Sequence, residues 1–215
     1  HLADISGCVV ISVDYRRAPE YRFPSATEDC LVATRWALNH CQEFGGNPER
    51  IFLAGDSAGA NLATVTAMQW QEQEIVALSG QILLYPVTDH YSRTKPSAIE
   101  FEDGFGLSRT DMHWFWDQYL TDPSQGSHPM ASPLMAEDLT GLPHALLIVS
   151  GYDPLRDEGL YYSNRLKEAG VPVTLLFYEE MIHGFVSYLG ILRQGLDAIR
   201  RIGAWIRERQ GLLND

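Results

Sequence analysis

The sequence predicts an α/β fold, a mostly parallel, doubly wound sheet with a segment inserted into it. Three observations carry this. Short β-rich apolar runs recur with helix-forming stretches between them. One run passes into a helix within a few residues, through Gly55-Asp56-Ser57-Ala58-Gly59. The alternation lapses over about residues 87–135 and then resumes. At 215 residues, with 45% hydrophobic and 20% charged residues, the chain can bury one sizeable core, so a single domain spanning 1–215 is expected.

Residues 7–13 (GCVVISV) read as a strand buried on both faces, ended by 14–19 (DYRRAP). A helix is expected from Ser25 to Phe44, with apolar residues at 26, 30, 33, 36, 37, 40 and 41 and a stop at Gly45-Gly46-Asn47-Pro48. The next strand covers 50–54 and feeds the helix of 61–68; residues 81–85 form a third strand, ended by Pro86. Within 87–135, rich in Pro, Gly and aromatic residues, only a helix near 109–120 is expected, so the segment reads as a cap. The pattern continues with a strand at 145–150, a helix at 157–168, a strand at 173–178 and an amphipathic helix from about 187 to 209. In such sheets ligands bind beyond the carboxyl ends of the strands.

Gly55-Asp56-Ser57-Ala58-Gly59 has the form of a nucleophile elbow. A strand turning directly into a helix strains the backbone, small residues at 55, 58 and 59 relieve the crowding, and the Ser57 hydroxyl is presented at a helix N-terminus. The Ala58 N–H there suits a developing oxyanion. Partners for Ser57 stand after two other strands. Asp153 follows the strand at 145–150; because Pro154 comes next, it also reads as a helix N-cap. His183 follows the strand at 173–178, in a loop freed by Gly184. Nucleophile, acid and base in the order Ser, Asp, His, each after its own strand, is the α/β-hydrolase arrangement. His183 would take the Ser57 proton and return it to a leaving alcohol, with Asp153 orienting the imidazole.

These motifs closely resemble the hormone-sensitive-lipase-like family of carboxylesterases, in the branch whose elbow reads G-D-S-A-G. The likeness covers almost all of the chain, including Asp14-Tyr-Arg-Arg-Ala-Pro-Glu20, Asp153-Pro-Leu-Arg-Asp-Glu-Gly159 and His183-Gly-Phe185. It implies a serine esterase with a Ser57, Asp153, His183 triad, no cofactor, a small ester substrate and a homodimer. It also implies that Met112, Phe115 and Trp116, at i, i+3 and i+4 on the cap helix, line the acyl pocket, with the Trp favouring short acyl chains. Two departures stand out. Ala60 occupies a position where the family often has Gly. The family's H-G-G-G loop, source of two oxyanion donors, should lie roughly twenty residues upstream of His1, together with a central strand between the 8–14 and 51–55 strands. Residues 1–215 alone are therefore expected to have a gap in the sheet, to be poorly folded and nearly inactive, and the full chain to be an active esterase.

Other chemistry is excluded or weakened. A net charge of -12 with 16 Lys and Arg argues against nucleic acid. No apolar run reaches the ~18 residues of a membrane span. The sequence carries no H-E-x-x-H or C-x-x-C, so no metal site is expected. Cys8, Cys30 and Cys41 read as unbridged residues of a reducing cytoplasm. Ser92-Arg93-Thr94-Lys95 matches S-x-x-K, but Pro96 follows directly, and Gly104-Phe105-Gly106 lacks the rest of a dinucleotide loop. An amidase or deacetylase of the same family would carry an identical triad. A non-catalytic relative such as the plant gibberellin receptor lacks the catalytic His, and His183 argues against that reading.

Overall fold

A computed structural model of the chain describes residues 1–73 and 78–211. Its helices and strands are, in order, α1 (Leu2–Ser6), α2 (Ser25–His40), β1 (Phe52–Asp56), α3 (Ala58–Glu72), β2 (Gly80–Leu84), α4 (Pro96–Glu100), α5 (Arg109–Tyr119), β3 (Ala145–Tyr152), α6 (Arg156–Glu168), β4 (Val173–Ile182) and α7 (Arg193–Arg209). The strands pair in the order β1-β2-β3-β4, all parallel. Parallel neighbours need crossover connections; α3 and α6 lie in two of these and cover one face of the sheet, while α7, which follows β4, covers the other.

Side chains alternate between the two faces. Leu83, Ala145 and Leu147 meet α3 and α6 through Ala60, Ala63, Ala67, Tyr162 and Leu166. Ile82, Leu84, Leu146 and Ile148 meet α7 through Ala198, Ile199, Ile202, Trp205 and Ile206, with Leu2 and Ile5 of α1 packed alongside. Within the first layer Thr64 donates to Gln81 Oε1 at 2.9 Å and lies 2.6 Å from the Tyr162 hydroxyl, so these buried polar groups are satisfied.

The strand expected at 7–13 is not formed. That segment carries no strand, and Val9, Val10, Ile11 and Val13 are exposed. A strand needs a neighbour for its backbone N–H and C=O groups; β1, the edge strand on this side, is separated from residues 7–13 by an opening of about 790 Å³ lined also by Ala33, Thr34 and Ala37. The opening lies where the family resemblance expects a further strand. Arg16 holds the continuation of this segment to α2, donating from Nε and Nη2 to the Asp29 carboxylate.

Other boundaries differ for local reasons. The helix expected to reach Phe44 ends at His40 and tightens into a 3₁₀ turn at Cys41–Phe44. Trp36, counted in its apolar stripe, is exposed and stacks on His40. β4 runs to Ile182, beyond the expected 178, because β3 yields to it at Gly151, where a Cβ would stand 1.9 Å from the Glu179 carbonyl oxygen. The register breaks between Ser150 and Tyr152. The last helix begins at Arg193, not near 187, after a 3₁₀ turn at Phe185–Ser187.

Between β2 and β3, residues 85–144 contain no strand. α5 is started by a capping box in which Ser108 and Asp111 bond reciprocally. Trp116 of this helix and Leu120 just after it bury against Phe23, Val87, Ala131 and Leu155. Val87 follows β2 and Leu155 follows β3, so α5 rests on the loops at the carboxyl ends of those strands. Among the described residues no helix is long and apolar enough to cross a membrane, and the three cysteines are unbridged.

Candidate active site

Ser57 stands alone between the last residue of β1 and the first of α3, with φ 54° and ψ −118°. A positive φ at a non-glycine residue costs about 1–3 kcal/mol and persists only where the surroundings enforce it. Here they do so from two sides. The Ser57 N–H donates to Leu84 O at 2.9 Å, and the Ser57 carbonyl accepts from Ala60 N at 3.1 Å, Asn61 N at 3.2 Å and Val87 N at 3.4 Å. The crowding expected at the turn is concentrated at Gly55, where a Cβ would lie 2.2 Å from the Gly59 carbonyl carbon and oxygen. Gly59 itself has room: a Cβ there would meet only Asp56 Oδ1, at 3.9 Å.

His183 directly follows β4, and Gly184, with φ 73°, turns the chain away behind it. Its Nε2 is 2.9 Å from Ser57 Oγ and its Nδ1 is 2.8 Å from Asp153 Oδ2. A carboxylate offers only acceptors, so Nδ1 donates to it and Nε2 is left to accept from the Ser57 hydroxyl. The Asp153 side chain is 1% exposed and that of His183 12%. The two Asp153 oxygens have different partners, and the residue expected as the helix N-cap stands one turn ahead of α6, whose N-cap is Leu155. Oδ2 holds His183, while Oδ1 accepts from Leu155 N at 2.8 Å just ahead of α6.

Ala58 opens α3, so its N–H belongs to the first-turn donors that lack a partner within the helix. Met112, Phe115 and Trp116 do not act as one face. Trp116 is buried and lines, with Met112, Pro154 and Leu155, a cavity of about 30 Å³, whereas Phe115 is 52% exposed and packs on Trp114. At about 100° per residue, positions 115 and 116 lie on opposite sides of position 112 and so point in different directions. Among the described residues no group of three or more His, Cys, Asp or Glu side chains could hold a metal ion.

Three supporting residues escape a reading of the sequence. Asn61, buried on α3, donates to Val87 O at 2.9 Å and Ala131 O at 2.8 Å, tying the insertion to the elbow helix. Glu158, buried on α6, accepts from Thr88 N at 2.9 Å, and burial pushes its carboxyl well above the usual range, against the Thr88 hydrogen bond that lowers it. Tyr85 leaves β2 with φ 35° and lays its ring against His183. A polar residue on a helix or a Tyr before Pro gives no such signal, because each role depends on what the fold places opposite.

Comparison with known proteins bears on the fold and the family. Residues 1–187 match a family described as having the alpha/beta hydrolase fold. The chain is 42% identical over 186 residues to the carboxylic ester hydrolase LipN of Mycobacterium tuberculosis, covering 83% of this chain and 49% of that protein. It is 36% identical over 195 residues to the ethyl acetate hydrolase of Pseudomonas putida, covering 90% and 61%. The solved structure of EstE1, a thermostable carboxylesterase cloned from a metagenomic library, superposes with a TM-score of 0.94 at 40% identity, covering 97% of this chain and 71% of that one. The chain thus spans about half to three fifths of the length of these two curated relatives. Matched by sequence motif, strand order and superposition, it belongs to the α/β-hydrolase family, in its hormone-sensitive-lipase-like branch.

Proposed function

We propose that the protein is a serine carboxylesterase acting on small, short-chain esters through an acyl-enzyme on Ser57. The observation that carries this reading is the continuous hydrogen-bonded chain Ser57 Oγ, His183 Nε2, His183 Nδ1, Asp153 Oδ2, with steps of 2.9 and 2.8 Å. The relatives named as carboxylic ester hydrolase and ethyl acetate hydrolase support it.

In this reading Ser57 Oγ attacks the ester carbonyl carbon as its proton passes to His183 Nε2, and Asp153 stabilises the resulting imidazolium. The Ala58 N–H, at the positive end of α3, donates to the oxyanion. Collapse of the tetrahedral intermediate breaks the bond to the alkoxy group, which leaves as alcohol with the proton from His183. Water, deprotonated by His183, then attacks the acyl carbon and releases the acid and the Ser57 hydroxyl. The segment 87–135 acts as a cap, and Trp116 with Met112 limits the length of the acyl chain. A homodimer and a cytoplasmic location complete the proposal; the free thiols fit a reducing compartment.

Hydrolysis of p-nitrophenyl acetate, butyrate and decanoate by the intact protein tests the reading, with Ser57→Ala alongside. Faster turnover of the two shorter esters, lost in Ser57→Ala, is expected. Preference for an anilide over the matching phenyl ester would identify an amidase, and a folded protein inactive on all of them would overturn the enzymatic reading.

A further inference from the structure

We infer that Tyr85 is a positioning residue that clamps the His183 loop to the nucleophile elbow, an inference that rests on the esterase reading above. Tyr85 is 2% exposed and has φ 35°, one of two non-glycine residues with positive φ among those described; the other is Ser57. Its position makes that conformation costly twice over. A bulky side chain disfavours positive φ, and a residue preceding proline is ordinarily extended. Glycine would adopt this backbone freely, so what the side chain holds must outweigh the strain.

What it holds is the base. The Tyr85 ring centroid lies 4.7 Å from that of His183, at an interplanar angle of 60°, and 6.1 Å from that of Phe185. Burial, with the Asp56 and Asp153 carboxylates, pushes the phenol upward and so keeps it neutral, against a smaller lowering by its interaction with the Ser187 side chain. One side chain thus packs on positions 183 and 185 of the segment that carries the imidazole. Meanwhile the backbone on either side of Tyr85 holds the nucleophile: Leu84 O accepts from Ser57 N, and Val87 N donates to Ser57 O. The four residues from Leu84 to Val87 therefore fix both ends of the 2.9 Å contact between Ser57 Oγ and His183 Nε2.

The test compares intact wild type with Tyr85→Phe, Tyr85→Leu and Ser187→Ala on p-nitrophenyl butyrate, with melting curves for each. Misplacing a catalytic group by about 1 Å slows turnover on the order of 100-fold. Tyr85→Leu is therefore expected to lower kcat by about 10- to 100-fold with KM unchanged, and to abolish the downfield proton resonance of the His183–Asp153 hydrogen bond. Tyr85→Phe keeps the ring and should recover most of kcat and that resonance. With only the interaction between the Tyr85 hydroxyl and Ser187 gone, Tyr85→Phe and Ser187→Ala should each lose about threefold, and the double variant no more than either. A folded Tyr85→Leu with wild-type kcat and an intact resonance would overturn the clamp, as would losses confined to KM. If Tyr85→Leu does not melt cooperatively, full wild-type kcat in both Tyr85→Phe and Ser187→Ala overturns it instead. An inactive wild type would refute the esterase reading, whereas an active wild type with unaffected variants refutes the clamp alone.

Discussion

Replacing Gly55 with alanine should damage the elbow more than any other one-methyl change there. The added Cβ would stand 2.2 Å from the Gly59 carbonyl carbon and oxygen and 2.7 Å from Ala60 N, where ordinary contact begins at 3.4 Å. All these neighbours are backbone atoms of α3, so no side chain can swing aside. The helix must retreat from β1 by about 1 Å, taking Ala60 N and Asn61 N, two partners of the Ser57 carbonyl, with it. That shift strains a packed core by about 1–3 kcal/mol and, by moving Ser57 against His183, slows ester turnover on the order of 100-fold. Gly59→Ala is the control. Its Cβ has open space, and alanine favours a helix over glycine by about 1 kcal/mol, so the variant should melt no lower than wild type and stay active. Denaturant melts and kcat/KM for p-nitrophenyl butyrate measure both variants. A Gly55→Ala protein with wild-type melt and turnover would refute the close approach of helix and strand as the reason for this residue.

Asp153→Asn keeps an oxygen for the Leu155 N–H but no longer orients and stabilises the imidazolium, so a wild-type melt with kcat lowered about 10⁴-fold is expected; a lowered melt with kcat unchanged would show the role of Asp153 to be structural. Trp116→Ala removes a side chain buried with Val87 and Leu155 and should cost about 3–5 kcal/mol while shifting preference toward longer acyl esters; an unchanged chain-length profile counts against its place in the acyl pocket. Glu158 tests linkage. Its folded value is raised, so the folded chain retains a proton that the unfolded chain, titrating near about 4.3, gives up. Stability from this position is fully present below the unfolded value and falls as pH rises toward the folded value, by at most about 1.4 kcal/mol per pH unit. Glu158→Gln still accepts from Thr88 N and lacks this slope, so it should gain on wild type as pH rises; parallel stability curves would contradict the buried neutral acid.

The convergence of Ser57, Asp153 and His183 was legible because its signals are local. A strand ends, a loop of special composition follows, and the order of the three loops fixes which side chains converge. What escaped depends on the opposite surface. Residues 7–13 have the composition of a buried strand but find no ladder within reach, and β1 faces them across an opening. The extension of β4 to Ile182 depends on a missing Cβ on β3, at Gly151, which no pattern within 173–182 reveals. Phe115 and Trp116 look equivalent by spacing, yet only Trp116 turns toward Val87 and Leu155. Tyr85 and Glu158 owe their importance to His183 and Thr88, each distant in sequence.

The central claim is that Ser57 is acylated during turnover. Acid-quenching the intact protein in the first turnover of p-nitrophenyl acetate and digesting it for mass spectrometry tests this directly. The account predicts one acetyl group, on the peptide containing Ser57, formed with a burst of p-nitrophenol and absent in Ser57→Ala. Steady hydrolysis with no burst and an unmodified Ser57 peptide would contradict it.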